Sequence, residues 1–573
     1  MSSRIIYLLF LLLSFCFVPY LFSKNDEEVG ENDRQFLLNF TSLSFKMLSS
    51  DTINNNELDE KNYVSSGTQG KLRCLKSFEP TCYIYPYVRY WNKEFSKKDC
   101  YESPLRIHSK LPEDQKYVVF EPDRGAWNNI RMAAEVAIVF AHATGRTLVL
   151  PPIEKWYLLS QNSNNNNIDT KEKQKHKLKK FQRKQNNSHN NHGRFDKFFN
   201  LTYLKETMDI ISMQNFIQNV ALKKQLNGPI PYSLKKANFD EYTGNMRIGF
   251  LWKYLERACY LREWEPGKYF IGFNLNEPNN STQTQSTNKN VFKKFSKKNV
   301  RHREMVAHGR KMIPYMNGMH EEKAIFFPGD YRTKYRILTH FYTYLYWEQE
   351  YREHFYRRFV RDRLRYIDEI FCRAGRIVQR LHQKIAEIMQ VPNEVSQNPH
   401  TMGGNTSYGV TYMAYHIRRG DFQYKDTRIS AEDILNTTNP IMKQYVDRTR
   451  IIYIASDERN ASFFKPWIDA NYRVFTLEDF SDVVEEVDKN YLGMIEQVVC
   501  ANAHVFFGTY KSTFTGYITR LRGYYRDGRH NRSYYTTTKD TYRLHTQKQI
   551  KGPFWAREFE SSFIQIDDDY HVK

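Results

Sequence analysis

The chain has 573 residues, 40% hydrophobic and 15% aromatic, with a formal net charge of +21. One hydrophobic core rarely grows past roughly 250–300 residues, so a single small domain is excluded and two domains are expected. So large a charge points to a polyanion binder, yet two short runs, KEKQKHKLKKFQRK at 171–184 and KNVFKKFSKKNVRHR at 289–303, carry most of it. A nucleic-acid partner is therefore the least favoured reading.

Residues 1–23 read as a targeting element. Arg4 precedes an apolar run, Ile5 to Phe22, just long enough to cross a bilayer as a helix. No small-x-small cleavage pattern follows, which favours a signal anchor over a cleaved signal peptide. Residues 24–72 are polar and aperiodic, as a stem would be. The expected organisation is a first domain over 73–400 and a second over 401–573, with the remainder of the chain in the secretory-pathway lumen, Golgi or endoplasmic reticulum, as a single-pass type II membrane protein. Beyond Cys16, the even set Cys74, Cys82, Cys100, Cys259, Cys372 and Cys500 suits disulfides in an oxidising compartment. No CxxC pair offers a zinc site. Nine Asn-x-Ser/Thr sequons, from Asn39 to Asn531, add weak support for a glycoprotein.

In the first domain, Lys116–Phe120 reads as a strand, 121–128 as a Gly-containing loop, Asn129–Thr144 as a helix and Thr147–Leu150 as the next strand, one βαβ unit. Low-complexity segments at 161–193 and 277–303 lack apolar content and read as disordered insertions. Residues 333–390 look helical throughout. In the second domain, strands are expected at Val410–His416, Ile451–Ala455, Arg473–Thr476 and His504–Phe507, and helices at Met494–Ala501 and Thr513–Arg522. Alternating strands and helices imply an α/β fold with parallel sheets, two Rossmann-like halves facing each other. Ligands in such sheets sit off the carboxyl ends of strands, so the loops after Phe120, His416 and Phe507 are where chemistry is expected.

Each of those loops has a composition suited to a phosphorylated ligand. At the end of the strand before Arg418, an arginine can meet a diphosphate through paired hydrogen bonds and stays charged at any working pH. His416 beside it suits orienting a phosphate or sugar hydroxyl, and Asp421 suits holding Arg418 and Arg419. The loop Asp123-Arg124-Gly125-Ala126-Trp127-Asn128 opens a helix, where backbone amides favour an anion. Ser512, Thr513 and Phe514 open another helix, with Glu496 on the preceding one. Each loop alone fits a structural reading equally well: a strand-end salt-bridge cluster, an ordinary turn, a plain N-cap.

Taken together, GAWNNIR at 125–131, HIRRGDF at 416–422 and GTYKSTF at 508–514 resemble, in this order, the motifs of the GDP-fucose protein O-fucosyltransferase superfamily. The EQVVC at 496–500 and TLVLPP at 147–152 are similar to two further family segments. The resemblance implies a two-domain GT-B fold, a GDP-fucose donor, inverting transfer without a metal or other cofactor, and a glycoprotein or glycan acceptor. By position, it gives Arg418 the departing β-phosphate, places His416 and Ile417 beside the nucleotide, and assigns donor contacts to Thr513, Phe514 and Glu496. Asn128 would sit near the sugar, with Gly125, Ala126, Trp127 and Arg131 in the same loop. The Glu that precedes Gly-Phe-Asn in some members is replaced by Gly125, which leaves Asp123 as the nearest carboxylate for a general base. An N-glycan or polysaccharide fucosyltransferase is the alternative enzyme, disfavoured by Gly420-Asp421-Phe422 after the arginines. A non-catalytic GDP-sugar or glycan-binding homologue is the alternative from another class.

Overall fold

The computed structural model describes residues 114–157, 193–259, 268–274, 295–300, 310–329, 344–389, 411–445 without 421 and 423, 450–525, 529–538 and 541–544, with residues 88, 90, 261 and 264. The chain divides into two units, Met1–Lys71 and Leu72–Lys573. All described residues fall in the second, so the expected anchor at 1–23, the stem, and Cys74, Cys82 and Cys100 lie outside them. Among the described residues no helix is long and apolar enough to cross a membrane.

The strands, in chain order, are β1 Tyr117–Phe120, β2 Thr147–Leu150, β3 Ile210–Ser212, β4 Tyr269–Phe273, β5 Lys311–Pro314, β6 Ala324–Phe327, β7 Leu345–Trp347, β8 Met413–Ile417, β9 Ile451–Ser456, β10 Arg473–Phe475, β11 Val505–Gly508, β12 Ser533–Thr538 and β13 Thr541–Leu544. The longer helices are α1 Trp127–Ala143, α2 Asn245–Ala258, α3 Glu350–Arg363, α4 Asp368–Met389, α5 Ala431–Met442, α6 Leu492–Asn502 and α7 Thr513–Tyr524.

The C-terminal half is one sheet in the order β10-β9-β8-β11-β12-β13, parallel except for the last antiparallel pair. Its central strands are apolar along their length because helices cover both faces of a parallel sheet. Side chains of β8 alternate: Met413, Tyr415 and Ile417 enter one core, while Ala414 points to the other face. By the same alternation His416 shares the face of Ala414, the side on which α6 and α7 lie.

The N-terminal half departs from the expected single sheet. It holds two parallel sheets, β3-β2-β1-β6 and β5-β4-β7. The uniform helix expected over 333–390 is also corrected. Within its described part, Leu345–Trp347 is a strand in register with Ile271–Phe273, and Leu364–Ile367 separates α3 from α4. Aromatic residues favour a pleated surface, and Trp347 stacks on Phe273 at 5.5 Å, so cross-strand packing outweighs the helical pattern. The insertion expected over 277–303 also ends early. Ser296 and Asn299 both donate to Glu348 Oε1 at 3.1 Å, which orders a helical turn at 297–300. At the end of the other insertion, Gly193 donates to the Glu154 carbonyl at 2.7 Å; the rest of both insertions lies outside the described residues.

One core runs through both halves. It includes Val118 and Ile130 from the first and Tyr412, Ile451 and Phe506 from the second. The helix α4 contributes Ile370, Phe371, Ala374, Ile377, Val378, Leu381 and Ile385, spaced by three and four residues on one face, and that face packs on α6. The helix α1 is buried on every side, so its charged residues need partners inside the protein. Glu135, with no exposed surface, accepts from Arg131 Nε at 3.0 Å and from Arg520 Nη1 of α7 at 2.5 Å, which ties the two halves together. Cys259 and Cys500 are buried thiols rather than half-cystines, against the disulfides expected for them. Burial fits that state and pushes the Cys259 thiol up to about 12.

Candidate active site

The end of β8 is held open as a polar mouth by the strands on either side. On one side, Thr509, just past β11, donates through its backbone amide and hydroxyl to the His416 carbonyl at 3.0 and 3.1 Å. The same hydroxyl accepts the Arg418 amide at 3.0 Å. On the other side, Ser456 Oγ donates to the Ile417 carbonyl at 2.7 Å. Asp457, the next residue, accepts from the Arg419 amide at 2.7 Å, the Gly420 amide at 2.9 Å and the Arg418 guanidinium. A Cβ at Gly420 would come within 2.5 Å of Asp457 Oδ2, so the glycine lets the loop close on this carboxylate. Asp457 thus holds both arginine positions, the duty assigned from sequence to Asp421, which lies outside the described residues.

The two arginines then diverge. Arg419 is held by three groups: its Nε meets Glu458 at 2.9 Å, its Nη1 meets the Ile429 carbonyl at 2.5 Å, and its guanidinium lies 4.4 Å from the centre of the Phe463 ring. Arg418 pairs with Asp457 and keeps a quarter of its side chain exposed. Arg419 is about as exposed, so the two differ in their partners: three groups hold the Arg419 guanidinium, whereas Arg418 pairs with the same carboxylate that ties down the loop amides.

Beside it, His416 is buried, with Nδ1 2.7 Å from Thr515 Oγ1 and its ring stacked 4.5 Å from that of Phe514. Burial, with the nearby Arg418 charge, holds its pKa down at about 3 against the pull of Asp457, so the imidazole is neutral at physiological pH. The close approach of α7 depends on Gly508, where a Cβ would come within 2.2 Å of Thr515 Cγ2. At the start of α7, Ser512 is extended and its hydroxyl makes no capping bond. The first turn of α7, with the amides of Thr513 and Phe514, therefore has no side-chain cap from Ser512, an arrangement suited to an anion. Glu496 on α6 completes this side: Tyr453 donates to its Oε1 at 3.4 Å, and burial pushes the carboxyl up to about 8.

The first loop is arranged differently. Ala126 is the extended residue before α1. Asp123 is only 2% exposed and folds back to accept the Gly125 amide at 2.7 Å, a turn-forming contact. Trp127 is packed among Phe198, Phe199 and Trp156 with ring centroids 4.3–5.7 Å away. Arg131 is sealed between Glu135 and the rings of Tyr366 and Tyr517. Asn128 also reaches across to the second half, accepting from Gln497 Nε2 at 2.9 Å.

The family model of GDP-fucose protein O-fucosyltransferase matches residues 117–525, well over half of the chain and all of the strands except β12 and β13. The chain belongs to this family. Among curated proteins it is similar to GDP-fucose protein O-fucosyltransferase 2 of Caenorhabditis elegans, 27% identical over 114 residues, which is 19% of this chain and 26% of that one. The match thus spans about a quarter of that relative's length. Among solved structures, POFUT1 in complex with GDP aligns at 12% identity over 74% of this chain and 100% of that one, with a TM-score of 0.31. The fucosyltransferase NodZ from Bradyrhizobium aligns at 13% identity over 71% and 93%, also with a TM-score of 0.31.

Within the family segments, His416, Arg418, Thr513 and Phe514 gather at one mouth. Ile417 turns its side chain into the core, while Arg131 and Trp127 lie in the interior. Sequence reasoning passed over Asp457, Thr509, Thr515 and Tyr366 as site residues and placed Gln497, with Glu496, only as able to reach the crevice. Thr509 and Thr515 stood inside the GTYKSTF segment; for Asp457 and Tyr366 only the fold supplies the signal.

Proposed function

We propose that the protein transfers fucose from GDP-fucose to an acceptor hydroxyl, a Ser or Thr of a protein, with inversion, on a GT-B fold and without a metal. The observation that carries this reading is the pairing, at one strand end, of a part-exposed Arg418 with a neutral His416 and the uncapped start of α7. An inverting transfer breaks the bond between the anomeric carbon and the β-phosphate oxygen as the acceptor oxygen forms its bond from the opposite face. Charge accumulates on the departing diphosphate, and a guanidinium aimed there stabilises it most in the transition state. Arg418 takes that role. The amides of Thr513 and Phe514 share the phosphate charge, and His416 holds a phosphate oxygen or a sugar hydroxyl as a neutral donor. Glu496 presents its carboxyl to the nucleotide, and Asn128 meets the sugar. For deprotonating the acceptor, Asp123 is the nearest carboxylate in the loop, and it serves only if it leaves Gly125. The family's donor and the luminal site of such transfers support a type II membrane protein of the Golgi or endoplasmic reticulum.

The test is nucleoside diphosphate release by the full chain, GDP from GDP-fucose or GDP-mannose and UDP from UDP-sugars, each with and without EDTA. Release from GDP-fucose alone, undiminished by EDTA, is expected. Preference for a UDP-sugar would overturn the donor, and loss with EDTA would overturn metal independence.

A further inference from the structure

A directional chain of hydrogen bonds crosses between the halves. It begins at Trp127 Nε1, which can only donate, and which lies 3.4 Å from the Tyr366 hydroxyl oxygen. Since that oxygen accepts from the indole, the phenolic proton goes to its other partner, Gln497 Oε1, at 3.0 Å. With its oxygen committed, Gln497 must turn its NH2 to its remaining partner, Asn128 Oδ1, at 2.9 Å. All four side chains are buried. Asn128 then has one orientation left: its oxygen faces Gln497, and its NH2 faces away. That amide nitrogen has no protein partner among the described residues and is not sealed from solvent.

We propose that Tyr366 and Gln497 are positioning residues that lock Asn128 as a hydrogen-bond donor to the bound sugar nucleotide. This rests on the donor reading given above. A free asparagine amide can present either end; here the wrong flip would set two NH2 groups against each other in a buried place, a costly clash of donors. The ligand atom that meets Asn128 must therefore offer a lone pair: a sugar hydroxyl oxygen, the ring oxygen or a phosphate oxygen. Because Gln497 sits on α6 next to Glu496, the same helix that faces the nucleotide also sets the orientation of a residue on the opposite half.

The experiment is a double-mutant cycle in the full chain, made of Gln497→Glu, Asn128→Ala and the pair, read by GDP release from GDP-fucose. The glutamate variant still accepts from Tyr366 but cannot donate to Asn128. It should lower kcat about tenfold or more when Asn128 is present, and less than about twofold when Asn128→Ala is already in place. Tyr366→Phe, which removes one hydroxyl and serves if the glutamate variant does not fold, should show a smaller loss that likewise vanishes with Asn128→Ala. A purely structural contribution would persist in that background, and effects that multiply would overturn the relay. If the wild-type chain binds GDP-fucose without turnover, the same cycle is read from its Kd by calorimetry. A wild-type chain that binds no GDP-fucose overturns the functional reading and the relay together, whereas an active wild type with independent effects overturns the relay alone.

Discussion

At the end of β8, Arg418 and Arg419 gather round Asp457; between α1 and α7, Arg131 and Arg520 gather round Glu135. Both clusters tie two arginine residues to one carboxylate, through two guanidinium groups at Glu135 and through the Arg418 guanidinium and the Arg419 backbone amide at Asp457. Arg131 and Arg418 come from segments that carry the family resemblance. Their surroundings separate them. Arg418 and Asp457 are each about a quarter exposed, whereas Arg131, Glu135 and Arg520 are at most 1% exposed. An ion pair near water exchanges partners at little cost, which suits binding an anion and letting it go. One sealed from water cannot lose a member without leaving a charge uncompensated, so it serves to join elements.

The largest effect that sharpens this contrast is Glu135→Ala. It leaves Arg131 and Arg520 buried without their carboxylate and should cost about 3–5 kcal/mol in urea unfolding. A loss below about 1 kcal/mol would place the cluster energetically with surface pairs and remove the contrast. The converse is Arg418→Ala, expected to lower GDP release from GDP-fucose roughly 10²–10³-fold while moving the urea midpoint little. Equal losses of stability and activity would show that this cluster, too, is structural.

A smaller effect concerns the groups that flank the mouth, whose pKa values are displaced in opposite directions. Glu496 is raised from 4.5 to about 8, so the native state keeps a proton that the unfolded chain has released. Its contribution to stability is therefore full below pH 4.5 and is lost as pH rises towards about 8. His416 is lowered from 6.5 to about 3, so the unfolded chain binds the extra proton, and stability falls as pH drops from 6.5 towards 3. Glu496→Gln should flatten the first slope and leave the second unchanged in urea titrations across pH. A variant with the wild-type slope above pH 4.5 would mean that the Glu496 carboxyl titrates normally.

Much of the fold was legible in particular segments. YVVF, TLVL and IIYIA are short apolar runs closed by turn signals, and each is a strand because both of its faces are covered. Less was legible where several patterns competed. The run before α3 carries helical spacing and aromatic strand formers at once, and only pairing with β4 made Leu345–Trp347 a strand. Likewise, nothing local tells Arg418 from Arg419; the side on which Glu458, Ile429 and Phe463 lie separates them.

By itself, the sequence determined the order of strands and loops, the α/β class and the family, because these depend on local apolar pattern and on motifs read within a few residues. Only the tertiary structure decided which motif residues meet a ligand and which are sealed inside. Asn128 and Gln497 are 369 positions apart, and Glu135 and Arg520 are 385 apart. Whether a charge or an amide ends up buried, paired or free to bind depends on the surface that the other half brings to it, and that surface does not exist until the halves pack.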